Sequence, residues 1–317
     1  MNYPEIAFQN VFILALLAIP GFIAVKAKVL REESASKVLA AMLLYICQPF
    51  VTIDAFLNTP FRAQVLKNLA LVIGFTFLHM LIMLLIAKAV FYRKKESEKY
   101  GAYNFACVFG NIGYMCVPFL QMLTDYNSEI ILYASGSMIS FNIMAWSYGS
   151  YLFTKNKKDI SIKRILLNPP TVTFLLLLPF FILNLNFISL PALYPLKKVS
   201  ELFSILTAPL SMTILGAKFA AMDLKEVFND INVIKVAGIK NLLSPLLGFA
   251  LIALLGILID TQGARLNMIA LSAMPVATNV MMFSEMNNGE RKTPAKLVAL
   301  STLLSILTIP LALLLFY

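Results

Sequence analysis

Two asparagines sit beside helix breakers inside long apolar runs. Asn111 lies between Gly110 and Gly113, with Pro118 seven residues on, in the run YGAYNFACVFGNIGYMCVPFLQML from Tyr100 to Leu123. Asn279 follows Pro275 by four residues in the run RLNMIALSAMPVATNVMMFSEM from Arg265 to Met286. Proline removes a backbone donor and crowds the preceding turn, and glycine is a poor helix former. If each helix unwinds at these points, a second helical arm starts afresh there, and proline suits its first turn. That turn leaves free N–H groups and a positive dipole end. Two such ends with two amide side chains make a site for an anion that needs no lysine or arginine. A pair of proline kinks used only for packing, with both asparagines hydrogen-bonding between helices, gives the same pattern.

Composition dictates which elements hold these residues. Hydrophobic residues make up 60% of the 317-residue chain and charged residues 13%, against about 25% charged in soluble domains. An all-α integral membrane protein follows. Reading apolar runs of about 20 residues as spanning helices gives ten, at 7–25, 37–57, 67–91, 100–123, 128–153, 171–187, 198–221, 234–258, 265–286 and 296–317. Little chain is left for a soluble catalytic or nucleic-acid-binding domain, so the net charge of +10 does not point to nucleic acid. Loops after odd-numbered spans hold eighteen Lys and Arg, and loops after even-numbered spans hold five. The other three, Lys88, Lys218 and Lys240, fall toward helix ends on the rich side. Basic loops stay in the cytoplasm, which places both termini outside the cell (inner) membrane.

The basic linker 154–170 divides the chain into a five-helix half, 1–153, and a second, 171–317. Because five is odd, the second half enters the membrane inverted. Pro20, Pro49 and Pro118 are answered by Pro179, Pro209 and Pro275 at offsets of 159, 160 and 157 residues. Breaks in corresponding segments of two halves point to a transporter built from inverted repeats, with its site where spans 4 and 9 are interrupted. Pro20/Pro179 and Pro49/Pro209 then shape the surrounding helices, and Pro118/Pro275 hold the site open.

Other polar residues at membrane depth have two readings each. Gln48 before Pro49 lines the cavity or repairs its own helix. Asn142 and Ser140 in span 5 face the crossing or join helices together. His79, the one histidine, is a coupling group or a satisfied packing residue. Lys240, beside Asn241, couples transport or snorkels to water. Asp54 and Glu285, toward helix ends, take part in coupling or pair and meet water. Cys47, Cys107 and Cys116 have spacing for neither a disulfide framework nor a metal site. No metal and no cofactor are expected. The broken central parts of spans 4 and 9 contain no Asp or Glu, which argues against a sodium site built on carboxylates.

Taken in order, several motifs resemble the auxin efflux carrier family in its compact prokaryotic form. They are Asn111-Ile-Gly113 followed by Pro118, Trp146-Ser-Tyr-Gly149, Asn168-Pro169-Pro170, Pro209 with Leu215-Gly216, Pro275-Val-Ala-Thr278-Asn279, and Ser284-Glu285. The resemblance covers nearly the whole chain. It implies a scaffold of spans 1, 2, 6 and 7, through which a homodimer would form, and a transport domain of spans 3–5 and 8–10. It further implies that spans 4 and 9 cross at their breaks, and that Asn111 and Asn279 bind a substrate carboxylate beside Pro118 and Pro275. The implied substrate is a small organic anion: malate, malonate or a similar carboxylate, or an auxin-like acid. The chain lacks the long loop between the halves found in the plant exporters.

A sodium-coupled symporter of the bile-acid type would give the same signals. A receptor or an intramembrane enzyme is the remaining alternative, but there is no HExxH, no pair of membrane aspartates and no nucleophile with a histidine partner. No GxxxxGK[ST] loop for an ATP-driven pump occurs either.

Overall fold

The computed structural model describes residues 3–316 apart from 96, 157, 159, 188, 223, 256, 257, 260 and 288. Lys157, counted above among the basic loop residues, lies outside the described set. In chain order the principal helices are α1 (Glu5–Lys26), α2 (Glu32–Asn58) and α3 (Ala63–Val90), followed by α4 (Tyr100–Val108) and α5 (Ile112–Leu123). Then come α6 (Ser128–Thr154), α7 (Pro169–Ile182), α8 (Pro191–Ala220) and α9 (Ile231–Leu255). The last are α10 (Gln262–Ala273), α11 (Asn279–Met286) and α12 (Lys292–Leu315). Seven of them, α1, α2, α3, α6, α8, α9 and α12, are individually long and apolar enough to cross a bilayer. The protein is an all-α membrane protein, as hydrocarbon requires of a chain that must satisfy its backbone internally. The fourth expected span is the pair α4 and α5, and the ninth is the pair α10 and α11.

Prolines inside these helices are absorbed rather than left as breaks. Single π-turns occupy Leu43–Cys47, Ile112–Cys116 and Ile239–Leu243, and Pro49, Pro118 and Pro245 each follow two residues after one. A proline ring collides with the carbonyl four residues back. Widening the turn by one residue moves that carbonyl aside. Pro118 therefore sits inside α5, not at the interruption expected from the sequence. The interruption falls at Phe109–Asn111, around Gly110.

Helix packing follows the small residues. α1 crosses α8 where Gly21 lies against the Thr213 carbonyl and Gly216 against the Ala18 carbonyl, so closely that a methyl group at either glycine would overlap the facing backbone. Such contacts are how helices associate in lipid, where apolar burial alone gives no preference. α7 packs on α2, α3 on α6 and α9 on α12, while α4 lies on α3 and α10 on α9. At the centre, residues 101–108 of α4 are all buried, as are Leu266 to Ala273 of α10. These two arms lead into the candidate site.

Candidate functional site at the crossed helix breaks

Where α4 ends, the chain runs extended through Phe109 to Asn111 before α5 begins. Where α10 ends, it runs through Met274–Thr278 before α11 begins, with Pro275 in the gap. The two gaps lie antiparallel and hydrogen-bond to one another. The Ala277 N–H donates to the Phe109 carbonyl at 2.9 Å, and the Asn111 N–H donates to the Pro275 carbonyl at 2.8 Å. The Val276 N–H between them donates to Ser301 Oγ of α12 at 2.8 Å. Ser301 Oγ in turn donates to Asn241 Oδ1, and Asn241 Nδ2 donates to the Ser301 carbonyl, both at 2.8 Å. Lys240, only 1% exposed, donates from Nζ to the Val108 carbonyl at 3.4 Å, where the α4 dipole presents its negative end. Groups freed by unwinding are thus met by protein, which the bilayer core demands.

Ser301 holds two partners at once, which gives a stability prediction. Ser301→Ala leaves the Val276 N–H and Asn241 Oδ1 buried and unpaired, at about 1–3 kcal/mol each. The unfolding midpoint of the purified protein should fall by several degrees, and an unchanged midpoint would show that this link carries no net stability.

Beside the crossing is a cavity of about 70 Å³, its polar wall made by Gln48, Gly113, Asn142, Asn168 and Asn279. Gln48 of α2 lies so close to α5 that a Cβ at Gly113 would come 2.5 Å from its amide nitrogen. Gln48 Oε1 has no hydrogen-bond partner, nor does Thr278 Oγ1. Among the described residues the side chains of Asn111 and Asn279 make no hydrogen bond to the protein. Tyr114, Asn279 and Met282 are shared with a second space of about 310 Å³, and this adjoins a third of about 390 Å³ through Glu32, Glu33, Lys218, Met281 and Glu285. Arg291, Lys292 and Lys296 line its outer end, on the face of the basic-rich loops. We call this succession of spaces with shared walls, from the amides toward that face, the path.

Residues 6–167, just over half of the chain, match the family described as membrane transport protein, which is the auxin efflux carrier family. The chain belongs to this family. Residues 199–317 match the sodium bile acid symporter family. Among curated proteins, none matches the chain. Membership of the auxin efflux carrier family makes the protein a transporter, and the crossed breaks are its most distinctive internal feature.

In this auxin efflux carrier family protein the expected site residues separate into groups. Gln48, Gly113, Asn142 and Asn279 come together around the small cavity, and Thr278 with Asn279 faces the adjoining space. Asn142 is also tied down, its Nδ2 donating to Asn168 Oδ1 at 3.3 Å and Thr171 Oγ1 at 3.1 Å. Asn111, 3% exposed, contributes its backbone to the crossing, but its side chain lines neither space. Pro275 lies in its gap, whereas Pro118 sits within α5. Ser140 Oγ donates to the Ile73 carbonyl at 2.8 Å, joining α6 to α3. His79 is stacked on Phe75 and donates from Nε2 to the Ser244 carbonyl at 3.0 Å, between α3 and α9 and away from the path. Asp54 accepts from Asn58 Nδ2 at 2.8 Å and faces Ser200 of α8. Glu285 lines the path and lies 3.7 Å from Arg291.

One residue of the path was treated in the sequence only as a helix-end charge. Lys218, in the last turn of α8, is half-buried and lines both larger spaces. Its Nζ contacts Met281 Sδ at 3.7 Å, and among the described residues no carboxylate comes within ion-pair distance.

Proposed function

We propose that the protein is a secondary transporter that moves a small organic anion across the cell (inner) membrane by alternating access. The anion is a mono- or dicarboxylate such as malate or malonate, or an auxin-like acid. The observation that carries the reading is the pair of backbone-joined breaks, which sets unbonded amides and two helix starts beside one cavity. A carboxylate there accepts hydrogen bonds from Asn279 and Gln48 and sits at the positive ends of α5 and α11. Thr278, with its unpartnered hydroxyl, donates a further bond, and Asn111 holds the crossing that aims both helix starts. Lys218 attracts the anion along the path, whose walls also carry Glu32, Glu33 and Glu285.

Alternating access then consists of α3–α6 and α9–α12 moving as a transport domain against a scaffold of α1, α2, α7 and α8. The recurrence of packing pairs between the two halves supports inverted repeats. The path to the basic-rich face supports an inward-open state with both termini extracytoplasmic. The scaffold is also where a homodimer would form.

A sodium-coupled symporter is the second reading, favoured by the match of residues 199–317 to the bile acid symporter family. Against it stands Lys240, whose ammonium already meets the Val108 carbonyl at the crossing. Carboxylate uptake that requires sodium would decide for the second reading.

A thermal-shift screen of small mono- and dicarboxylates on the purified protein tests the function. A ligand at a hundred times its dissociation constant stabilises the fold by about 2.7 kcal/mol, so a true substrate raises the midpoint by a readable margin. If no carboxylate shifts the midpoint and none is taken up by proteoliposomes, the anion reading fails.

A further inference from the structure

A separate cavity of about 470 Å³ lies at the ends of α3, α4 and α6, away from the crossed breaks. Three lysines line it: Lys88 in the last turn of α3, Lys95 in the following loop, and Lys155 just beyond α6. Tyrosines fill much of the remaining wall, among them Tyr100, Tyr148 and Tyr151, and no wall residue is acidic. Lys88 Nζ rests 4.7 Å over the Tyr148 ring, and Lys155 Nζ meets the Lys95 carbonyl at 3.4 Å. Among the described residues none of these three ammoniums has a carboxylate within ion-pair distance. Nor does any of those three tyrosine hydroxyls have a hydrogen-bond partner there.

This inventory of donors describes the ligand. Three uncompensated ammoniums and several hydroxyls, drawn from three elements around one concave space, suit a compact anion with many acceptor oxygens. Place narrows the choice further. Lys88 belongs to the final turn of a helix whose preceding turns expose Leu78, Leu81 and Leu85, so the cavity sits where hydrocarbon gives way to water. Phospholipid phosphates lie at that depth, aromatic side chains gather there, and basic pockets between helices take lipid headgroups.

We propose that this cavity is a phosphate site, filled by the headgroup of an anionic phospholipid from the surrounding bilayer. The lysines hold the phosphate oxygens, the tyrosine hydroxyls donate to the phosphate or to the headgroup alcohol, and the acyl chains run along the exposed leucines of α3.

The test uses the full chain in neutral detergent, with phosphatidylglycerol, phosphatidylcholine or inorganic phosphate added. Thermal shift and retention of lipid adducts in native mass spectrometry are the readouts. Phosphatidylglycerol should raise the midpoint and stay bound, phosphatidylcholine should do neither, and inorganic phosphate should have little effect. In Lys88→Gln/Lys155→Gln, retention of phosphatidylglycerol should weaken on the order of tenfold or more, with the lipid-free midpoint unchanged. Tyr148→Phe, a smaller change, keeps the test decisive if the double variant folds poorly, and it should weaken retention by a few-fold. Phosphatidylglycerol held as tightly as by wild type in Tyr148→Phe, or in a folded double variant, would overturn the site. An equal shift from inorganic phosphate would overturn the lipid as its source.

Discussion

Asn279→Ala should abolish most carboxylate binding and uptake while leaving the protein folded. Asn279 is the first residue of α11, lines both the small cavity and the space leading out of it, and has an amide committed to nothing in the protein. A hydrogen bond to a charged group is worth about 1.5–3 kcal/mol, so its loss should weaken binding roughly tenfold to a hundredfold. Because the side chain makes no hydrogen bond among the described residues and is only partly buried, insertion and the ligand-free unfolding midpoint should stay near wild type. Uptake into proteoliposomes and carboxylate-induced thermal shift, measured on one preparation, separate the two effects. Asn111→Ala gives the companion result. Its side chain does not line the cavity and alanine keeps the main-chain bond to the Pro275 carbonyl, so flux and affinity should fall much less than in Asn279→Ala. Normal carboxylate flux in both variants would refute the site.

Gly216→Ala should be the most damaging of the small substitutions. The added methyl would fall on the Ala18 carbonyl of α1, and backbone cannot rotate aside as a flexible side chain can. Overpacking typically costs about 1–3 kcal/mol, and an obstacle made of backbone places this case at or beyond the upper end. Total stabilities of about 5–15 kcal/mol leave little reserve. The variant should purify in low yield with a midpoint several degrees lower. Gly238→Ala is the control, because a Cβ there meets nothing within 4 Å and alanine favours helix by about 1 kcal/mol. Its midpoint should equal or exceed that of wild type. Equal losses in the two variants would show that the α1–α8 crossing is not the cause.

The helical, membrane-embedded character was plain in the sequence, because apolar runs long enough to span a bilayer have few other uses. The gap at Pro275 was equally legible. Pro118 misled because a proline preceded by a π-turn stays inside a helix, and nothing in the local sequence distinguishes that from a break. The gap in the fourth span is set instead by Gly110 and by pairing with a segment more than 160 residues away, which local patterns do not encode. Lys218 was hidden for a related reason. In lipid the outer face of a helix is as apolar as its inner face, so periodicity does not reveal which way a lone lysine points. His79 has two readings in the sequence, coupling and packing, and its bond to the Ser244 carbonyl fits either.

The bonds between the two gaps join main chain to main chain, Phe109 to Ala277 and Asn111 to Pro275. Except for a change to proline at residue 111 or 277, no side-chain substitution removes them. The joint can therefore persist while surrounding side chains drift, and the halves need not diverge in step. On the proposed function, residues such as Gln48, Lys218 and Asn279 can be exchanged one at a time, retuning which anion is accepted while the main-chain joint stays in place.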